Sequence, residues 1–285
     1  MGRTVYVNGE WVDETDAKIS VFDRGFLFAD AVYEVTSVLQ GRLIDFPGHL
    51  ARLERSLRAL DMEMPLPAEE FLALHRAIVA RNGLEEGLIY LQVSRGAADR
   101  DFHYPENVPQ TVVMFTQEKA LVEAPAAERG IRVITLPDLR WKRRDIKTVQ
   151  LLYPSMGKMA AQAAGADDAW LVEEDGTVTE GTSNNAWIVT AGGKIVTRQL
   201  SHDILPGITR AAIMRLAEAE GLTVEERPFT PEEAKAAEEA FITSASTFVH
   251  PVIAIDEVPV GSGRPGPLAR KLRGLYIEEA LASAL

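Results

Sequence analysis

Short apolar strands separated by two-residue turns constrain the fold of this chain most strongly. Four such turns recur along the sequence, at Asn8-Gly9, Gln40-Gly41, Asp175-Gly176 and Gly192-Gly193. Turns of this composition connect antiparallel neighbours. A doubly wound parallel sheet requires helical crossovers instead, and hairpins outnumber crossovers here. The pattern therefore predicts an α+β fold.

Apolar residues at helical spacing predict helices between these hairpins. We expect helices beginning at Pro47 and near Ala68, over 155–164, after Gly207, from Pro231 and at the end of the chain. The segment 117–130 has no clean period and contains proline and charged residues, so we interpret it as an interdomain linker. The sequence thus predicts a small α+β domain over 1–116 and a larger α+β domain over 131–285.

The composition restricts the partners of the chain. Its 285 residues carry a formal net charge of −12, whereas nucleic acids require a broad basic field. No apolar run approaches the ~20 residues that span a bilayer, and the stretch MGRTVYVNGEWV has no apolar signal core. With no cysteine, disulfides and thiolate chemistry are excluded. We expect no nucleic-acid partner, no membrane partner and a cytoplasmic location.

Several common catalytic motifs are missing from the sequence. The five histidines are scattered and do not pair at metal-ligand spacing, so we predict no metal site. No G-x-S-x-G elbow, Walker-type loop or Rossmann glycine fingerprint occurs either. The chain therefore lacks the usual signals of hydride and nucleotide chemistry.

One basic stretch stands out in this acidic chain. Residues 140–147 read RWKRRDIK and hold five basic side chains in eight positions. Lys147 ends the run where the surroundings become apolar. Neighbouring cations and partial desolvation both favour the neutral amine that a lysine nucleophile needs. Taken by itself, the stretch is more simply a solvated basic strand edge, and a docking patch for a polyanion is a further interpretation.

Two other stretches contain residues that could act together with this lysine. Glu180 ends an alternating strand and precedes a turn. It is interpreted either as an acid that faces a pocket or as an ordinary surface glutamate. Gly207-Ile208-Thr209 begins a helix whose free N–H groups could bind an anion, or Thr209 only caps that helix. A lysine nucleophile, a carboxylate and a phosphate-binding helix start are together the parts that hold pyridoxal 5'-phosphate (PLP).

The chain resembles the fold-type-IV PLP-dependent enzymes, and most closely the D-amino-acid aminotransferases within that family. The resemblance rests on six blocks in the family's order, which are DRGFLFADAVYEV (23–35), HLARLERS (49–56), RWKRRDIK, TVTEGTSN, ILPGITR (204–210) and FITSAS (241–246). It implies a two-domain α+β enzyme and a homodimer whose active sites are completed across the subunit interface.

The resemblance also implies the cofactor contacts. Lys147 matches the lysine that forms the Schiff base and moves the proton, and Glu180 matches the partner of the pyridine nitrogen. Ala245 stands where the family often has threonine, which puts one phosphate hydrogen bond in question. The remaining matches are the phosphate-binding Arg52, Ile208, Thr209 and Ser244, and the ring-flanking Ser183 and Leu205.

Substrate selection is implied by two further stretches. Tyr33 resembles a tyrosine that marks the D-specific branch, where branched-chain relatives usually have phenylalanine. D-specific enzymes grip the α-carboxylate with an R-x-H pattern; here Arg100 is followed by Phe102, and His103 lies one place later. In a strand-like loop His103 would point to the other face. The resemblance then implies that Arg100 and Tyr33 bind the carboxylate, or that the loop is shifted by one residue so that His103 contributes. Two alanines, Ala29 and Ala31, stand where the family often has glycines.

These residues leave several functions open. The resemblance favours ping-pong transamination of D-alanine or D-glutamate with pyruvate or 2-oxoglutarate. An (R)-amine transaminase, a branched-chain L-aminotransferase or an aminodeoxychorismate lyase would use the same fold and cofactor. A non-enzymatic protein that docks polyanions through RWKRR would take up no cofactor.

Overall fold

The computed structural model describes residues 2–285, which form two compact units. The first unit contains the segment through Ala120 with Ile146–Gln150 and Leu281–Leu285. The second contains Leu121–Asp145 and Leu151–Ala280. Each unit combines helices with its own sheet, so the predicted α+β fold class is confirmed. Across residues 2–285, no helix has the length and apolar character needed to cross a membrane.

The first unit is a six-stranded antiparallel sheet with three helices. Its strands are β1 (Thr4–Val7), β2 (Glu10–Asp13), β3 (Ala31–Leu39), β4 (Arg42–Leu43), β5 (Glu86–Ser94) and β6 (Thr111–Glu118), in the order β2-β1-β6-β5-β3-β4. Its helices are α1 (Arg24–Phe28), α2 (Phe46–Arg58) and α3 (Ala68–Asn82). The buried core includes Leu53 and Leu57 of α2 and Phe71 and Ile78 of α3, with strand residues such as Val32.

Both predicted hairpins of this unit are present. Asn8 and Gly9 have φ of 49° and 97°, and Gln40 and Gly41 have φ of 53° and 68°. A positive φ at both central positions is the condition for a type I′ turn. The turns set the registers Val7↔Glu10 and Leu39↔Arg42.

The second unit contains a nine-stranded mixed sheet. Eight strands follow the order β12-β11-β10-β13-β14-β7-β8-β9, and β15 pairs with β14. The strands are β7 (Ile131–Pro137), β8 (Asp168–Val172), β9 (Val178–Gly181), β10 (Asn185–Val189), β11 (Ile195–Thr197), β12 (Val224–Glu226), β13 (Glu239–Ser244), β14 (Phe248–Ile255) and β15 (Val258–Pro259). The helices are α4 (Pro125–Arg129), α5 (Leu152–Ala163), α6 (Ile208–Ala219), α7 (Pro231–Lys235) and α8 (Pro267–Ser283).

The first unit includes two segments that the sequence predicted within the large domain, residues 146–150 and 281–285. Residues 146–150, predicted within the large domain, join the first unit because they pair with the start of β3. The Tyr33 amide donates to the Lys147 carbonyl (3.0 Å), and the Val149 amide donates to the Ala31 carbonyl (3.2 Å). Within the predicted linker 117–130, Pro125–Arg129 is helical. Long-range pairing of this kind leaves no local sequence signal.

Candidate active site

Lys147 lies in the first unit, against the ring of Tyr33. Its side-chain nitrogen is 4.2 Å from the ring centroid, within the range of a cation–π contact when the amine is protonated. The neighbouring side chain of Ile146 is buried in the core, and the Lys147 amide donates to Ser56 Oγ (3.3 Å). The main chain on both sides is therefore fixed, and the side chain extends from a rigid support.

Tyr33 belongs to a stack of aromatic rings on the sheet. Its ring stacks on Tyr90 (centroids 5.5 Å apart), which stacks in turn on Phe115 (4.7 Å). Burial raises the pKa of Tyr90, and Tyr33 adds to the rise. The Tyr90 hydroxyl donates to Gln92 Oε1 (2.8 Å). The stack holds the face of Tyr33 beneath Lys147.

Arg52 is held by a buried carboxylate in the same unit. Its Nε and Nη2 donate to the two oxygens of Glu34, both at 2.8 Å. His49 Nδ1 lies 2.8 Å from Glu34 Oε2. Burial alone would raise the pKa of Glu34, but Arg52 and His49 outweigh it and hold that pKa well below its usual range. The orientation of Arg52 is thus fixed by a bidentate ion pair.

Glu180 lies in the second unit, at the end of β9, with its side chain buried. Its Oε1 accepts from Arg140 Nη1 (2.7 Å). Its Oε2 accepts from Asn185 Nδ2 (3.1 Å) and from the Leu205 amide (3.0 Å). Each carboxylate oxygen has two acceptor positions, so the partners within residues 2–285 leave one position on Oε1 for a further donor.

The four cations that precede Lys147 in RWKRRDIK are paired with carboxylates of the second unit. Arg140 and Arg144 are buried, with 13% and 1% of their side chains exposed, and both contact Asp138. Lys142 and Arg143 are 73% and 43% exposed, and they pair with Glu173 and Asp145 respectively. Each of these four cations is therefore matched by an acid, and their predicted effect on Lys147 stays a prediction.

The start of α6 has the features of an anion site. Gly207 precedes it, no side chain caps it, and the first N–H groups of a helix lack intrahelical partners. Thr209 is buried, and among residues 2–285 its hydroxyl has no hydrogen-bond partner. A Cβ on Gly207 would lie 2.1 Å from Asn185 Oδ1. Asn185, which also binds Glu180, therefore packs directly against this helix start.

The turn after β13 adds hydroxyl groups in the same unit. Ser244 Oγ lies 2.8 Å from Thr247 Oγ1 and 3.3 Å from Ser246 Oγ. Ala245, where the family often has threonine, lies in this turn. Ser183, the other turn residue predicted to contact the cofactor, is exposed on the turn between β9 and β10. Leu205 also accepts a hydrogen bond from Asn185 Nδ2 at its carbonyl (2.9 Å).

The predicted substrate residues Arg100 and His103 lie on an irregular, exposed segment rather than a strand. The guanidinium of Arg100 lies 5.4 Å from the ring centroid of Phe28 and 5.6 Å from that of Phe102. His103 has 96% of its side chain exposed, and its Nδ1 is 2.9 Å from Asp101 Oδ1. Within residues 2–285, neither side chain bonds to Tyr33 or Lys147.

Sequence reasoning missed the partners of Glu180. Asn185 and Arg140 were visible only as part of a polar turn and of a basic run. Arg140 and Asn185 are 40 and 5 residues away from Glu180 in the sequence. Strand packing brings them together, and no local sequence period encodes that packing. One sequence signal was available: an acid that ends an apolar strand is expected to have low exposure, and a buried acid needs hydrogen-bond partners.

Known proteins resemble this chain over nearly its whole length. A model of the amino-transferase class IV family matches residues 31–255. A D-alanine aminotransferase from Bacillus licheniformis is 37% identical over 271 residues, 94% of each chain. Another from Staphylococcus aureus (strain COL) is 36% identical over 272 residues, 94% of this chain and 95% of that one.

The fold is also shared with solved structures. A branched-chain aminotransferase from the thermophilic archaeon Thermoproteus uzoniensis, crystallised with norvaline, superposes with a TM-score of 0.88 at 25% identity, over 99% of this chain and 96% of that chain. The chain belongs to the amino-transferase class IV family and is an aminotransferase. The resemblance inferred from the six sequence blocks is confirmed, and a non-enzymatic polyanion-binding protein is excluded.

Proposed function

We propose that the enzyme transfers amino groups from D-amino acids, such as D-alanine and D-glutamate, to 2-oxo acids such as pyruvate and 2-oxoglutarate, with PLP as its cofactor. The contact between Lys147 and Tyr33 is the observation that carries the substrate class, because Tyr33 is the residue that the resemblance assigns to the D-specific branch. The full-length relatives named D-alanine aminotransferase support the same class.

The polar groups of the second unit fit PLP. The open acceptor position on Glu180 Oε1 suits the N–H of a protonated pyridine ring, which Glu180 keeps protonated. The helix start with the unpartnered Thr209 hydroxyl suits a phosphate. When bound, PLP supplies the electron sink for the carbanion at the substrate Cα. We assign the phosphate to Arg52, Ile208, Thr209, Ser244 and Ala245, and the two faces of the ring to Ser183 and Leu205.

Lys147 is the catalytic residue in this proposal. Its Nζ would hold PLP in the resting enzyme, and the amine, freed by the incoming amino acid, would take the proton from the substrate Cα and return it later in the half-reaction. Tyr33 keeps the amine in reach of both positions because its ring is fixed in the aromatic stack. The same residues serve both halves of a ping-pong cycle.

We further propose that the enzyme is a homodimer in which the partner subunit supplies the segment with Arg100 and His103. In one protomer this segment is exposed. An exposed apolar row on α5, formed by Leu152, Met156 and Met159, supports association, since large apolar surfaces mark interfaces. Sedimentation equilibrium measures the mass directly. We also propose a cytoplasmic location, where pyruvate and 2-oxoglutarate are available, and cell fractionation tests this.

A branched-chain L-aminotransferase is the second candidate. Phe102 interrupts the R-x-H pattern of D-specific enzymes, and the solved relative with a TM-score of 0.88 is a branched-chain aminotransferase by its name. With the single Cα hydrogen directed at Lys147, the two candidates differ in where the carboxylate and the side chain of the amino acid lie. They are therefore separated by the configuration of the amino acid that reacts.

One spectroscopic experiment tests the proposal. The purified enzyme, saturated with PLP, is mixed in turn with D-alanine, D-glutamate and L-leucine, and the visible absorption of the bound cofactor is followed. Loss of the band with the D-amino acids alone supports D-transamination, and loss with L-leucine alone supports the second candidate. Lys147→Ala should abolish the band and turnover. Lys142→Ala, on the exposed part of the same stretch, should leave both intact.

A further inference from the structure

Glu180 is a carboxylate whose ionised form is energetically disfavoured by its surroundings. Its side chain is buried, and removal from water disfavours the ionised form of a carboxyl group. Burial raises the pKa of Glu180, and the guanidinium of Arg140 opposes that rise. An ionised Glu180 therefore depends on its donors. Two of them, Asn185 and the Leu205 amide, are neutral groups on Oε2, whereas Arg140 brings the positive charge, to Oε1.

Arg140 is itself fixed from its other side. Its Nε and Nη2 donate to Asp138 Oδ1 (2.9 Å) and Oδ2 (2.7 Å). Asp138 is fully buried at its side chain and also accepts from Thr179 Oγ1 (2.7 Å). One edge of the guanidinium thus forms a fork with Asp138, while Nη1 on another edge points to Glu180. A planar group bound at two edges cannot rotate without breaking an ion pair.

Asp138 has a second cationic partner, since Arg144 Nη2 lies 3.3 Å from its Oδ1. Arg144 also pairs with Glu173, whereas Arg140 is the one cation that bonds to Glu180 within residues 2–285. If Arg140 is removed, Asp138 keeps Arg144 as its partner, but Glu180 is left with neutral donors only. The effect of losing Arg140 should accordingly fall on Glu180.

From this arrangement we infer that Arg140 is a positioning residue for the cofactor ring: it keeps Glu180 ionised and aims Oε1 at the pyridine nitrogen. The inference rests on the proposed function, because Glu180 has this task only if PLP binds. It assigns the first arginine of RWKRRDIK a role through Glu180, separate from that of Lys147.

The test compares Arg140→Gln, which removes the charge and keeps a donor, with Arg140→Lys, which keeps the charge and loses the fork. The dissociation constant for PLP is measured by fluorescence quenching, and the visible band of the bound cofactor is titrated with pH. We expect Arg140→Gln to bind PLP about 10- to 100-fold more weakly, the range for a lost charge-assisted hydrogen bond. Its band should also titrate at a different pH from that of the wild type. For Arg140→Lys, the PLP dissociation constant and the titration pH should lie between those of Arg140→Gln and the wild type. For Arg143→Gln, at an exposed position of the same stretch, both quantities should match the wild type.

A double-mutant cycle with Glu180→Gln decides whether Arg140 acts through Glu180. Once Glu180 is uncharged, adding Arg140→Gln should change the PLP dissociation constant and the pH titration by less than about twofold, because coupled sites are not additive. Fully additive effects would overturn the inference, as would a wild-type band in a folded Arg140→Gln variant. If Arg140→Gln does not fold, Arg140→Lys carries the same cycle. A wild-type enzyme that takes up no PLP, or a Glu180→Gln variant unchanged in every respect, would instead refute the proposed function.

Discussion

The side-chain nitrogen of Lys147 lies 4.2 Å from the ring centroid of Tyr33, and the backbones of the same two residues are hydrogen-bonded. The Tyr33 amide donates to the Lys147 carbonyl (3.0 Å), and Val32 forms an antiparallel bridge with Thr148. The amine is thus located by the register between β3 and residues 146–150. A change to the ring should alter catalysis without moving the lysine backbone.

Two substitutions of Tyr33 separate the roles of its ring and its hydroxyl. Tyr33→Phe keeps the ring under Lys147, so we expect cofactor binding to be unchanged. It removes the hydroxyl that we assign to the α-carboxylate of the substrate, so the KM for D-alanine should rise about 10-fold, the effect of one lost hydrogen bond to a charged group. Tyr33→Leu also removes the cation–π contact, worth about 1 kcal/mol, and should lower kcat about fivefold further. Steady-state kinetics with D-alanine measure both quantities.

Tyr90 provides the matched control for these variants. It lies one ring further along the stack, away from Lys147, and Tyr90→Phe should leave the KM for D-alanine within about twofold of the wild type, since it removes no hydrogen bond to the substrate. An equal rise in KM for Tyr33→Phe and Tyr90→Phe would show that the whole stack, rather than the Tyr33 hydroxyl, determines substrate binding.

Breaking the buried ion pair of Glu34 and Arg52 should destabilise the first unit far more than breaking an exposed ion pair. Glu34→Gln leaves the buried guanidinium of Arg52 without its countercharge, which costs about 3 kcal/mol. Glu54→Gln breaks the exposed pair with Arg58 and should change stability by no more than about 0.5 kcal/mol. Urea unfolding of the apoenzyme, followed by circular dichroism, measures the two values. Equal losses would contradict the structural assignment of the buried pair.

Much of this fold could be predicted from the sequence because its signals are local. The hairpin at Asn8-Gly9 depends on two adjacent residues with positive φ, and the start of α2 depends on Pro47 near its first turn. The short helix Arg24–Phe28 was missed, since five residues are too few to show a helical period. Its N-cap, Asp23, accepts a hydrogen bond from the Gly25 amide (2.8 Å). An aspartate before a short segment does not by itself indicate a helix, so this cap could be recognised only in the structure.

The candidate site could be predicted only in part. Lys147 and Glu180 were found because each lies where an apolar strand pattern meets a charged or turn-forming stretch. The pairing of Arg140 with Glu180 spans 40 residues and depends on how β7 and β9 flank β8. A run of cations in a sequence indicates charge, but the carboxylates that neutralise it are set by the tertiary fold.

Ala29 and Ala31, both in positions where the family often has glycine, should respond oppositely to that substitution. Ala29 ends α1 with φ 55° and ψ 26°, a left-handed conformation that costs a Cβ-bearing residue about 1–2 kcal/mol. Ala29→Gly should therefore stabilise the enzyme by about 0.5–1 kcal/mol, after the greater freedom of glycine in the unfolded chain is deducted. Ala31 is fully buried in β3, and Ala31→Gly should destabilise by about 1 kcal/mol. Chemical denaturation of the two variants side by side checks the signs, and a loss at both positions would contradict the strain at Ala29.

His75 should make the stability of the enzyme depend on pH. The ring is buried, its Nδ1 lies 2.7 Å from the Phe71 carbonyl, and burial lowers the pKa of His75 from 6.5 to about 4. Between these two pKa values His75 is protonated in the unfolded chain and neutral in the folded chain. The free energy of unfolding therefore falls as the pH drops from 6.5 towards 4. By about pH 5 the loss should reach about 2 kcal/mol relative to about pH 7. His75→Asn, which can still donate to Phe71 but does not titrate, should lose this dependence. The measurement is the urea unfolding free energy of wild type and variant at these two pH values. If the free-energy difference between the two proteins is the same at both pH values, His75 is protonated in the folded enzyme as well.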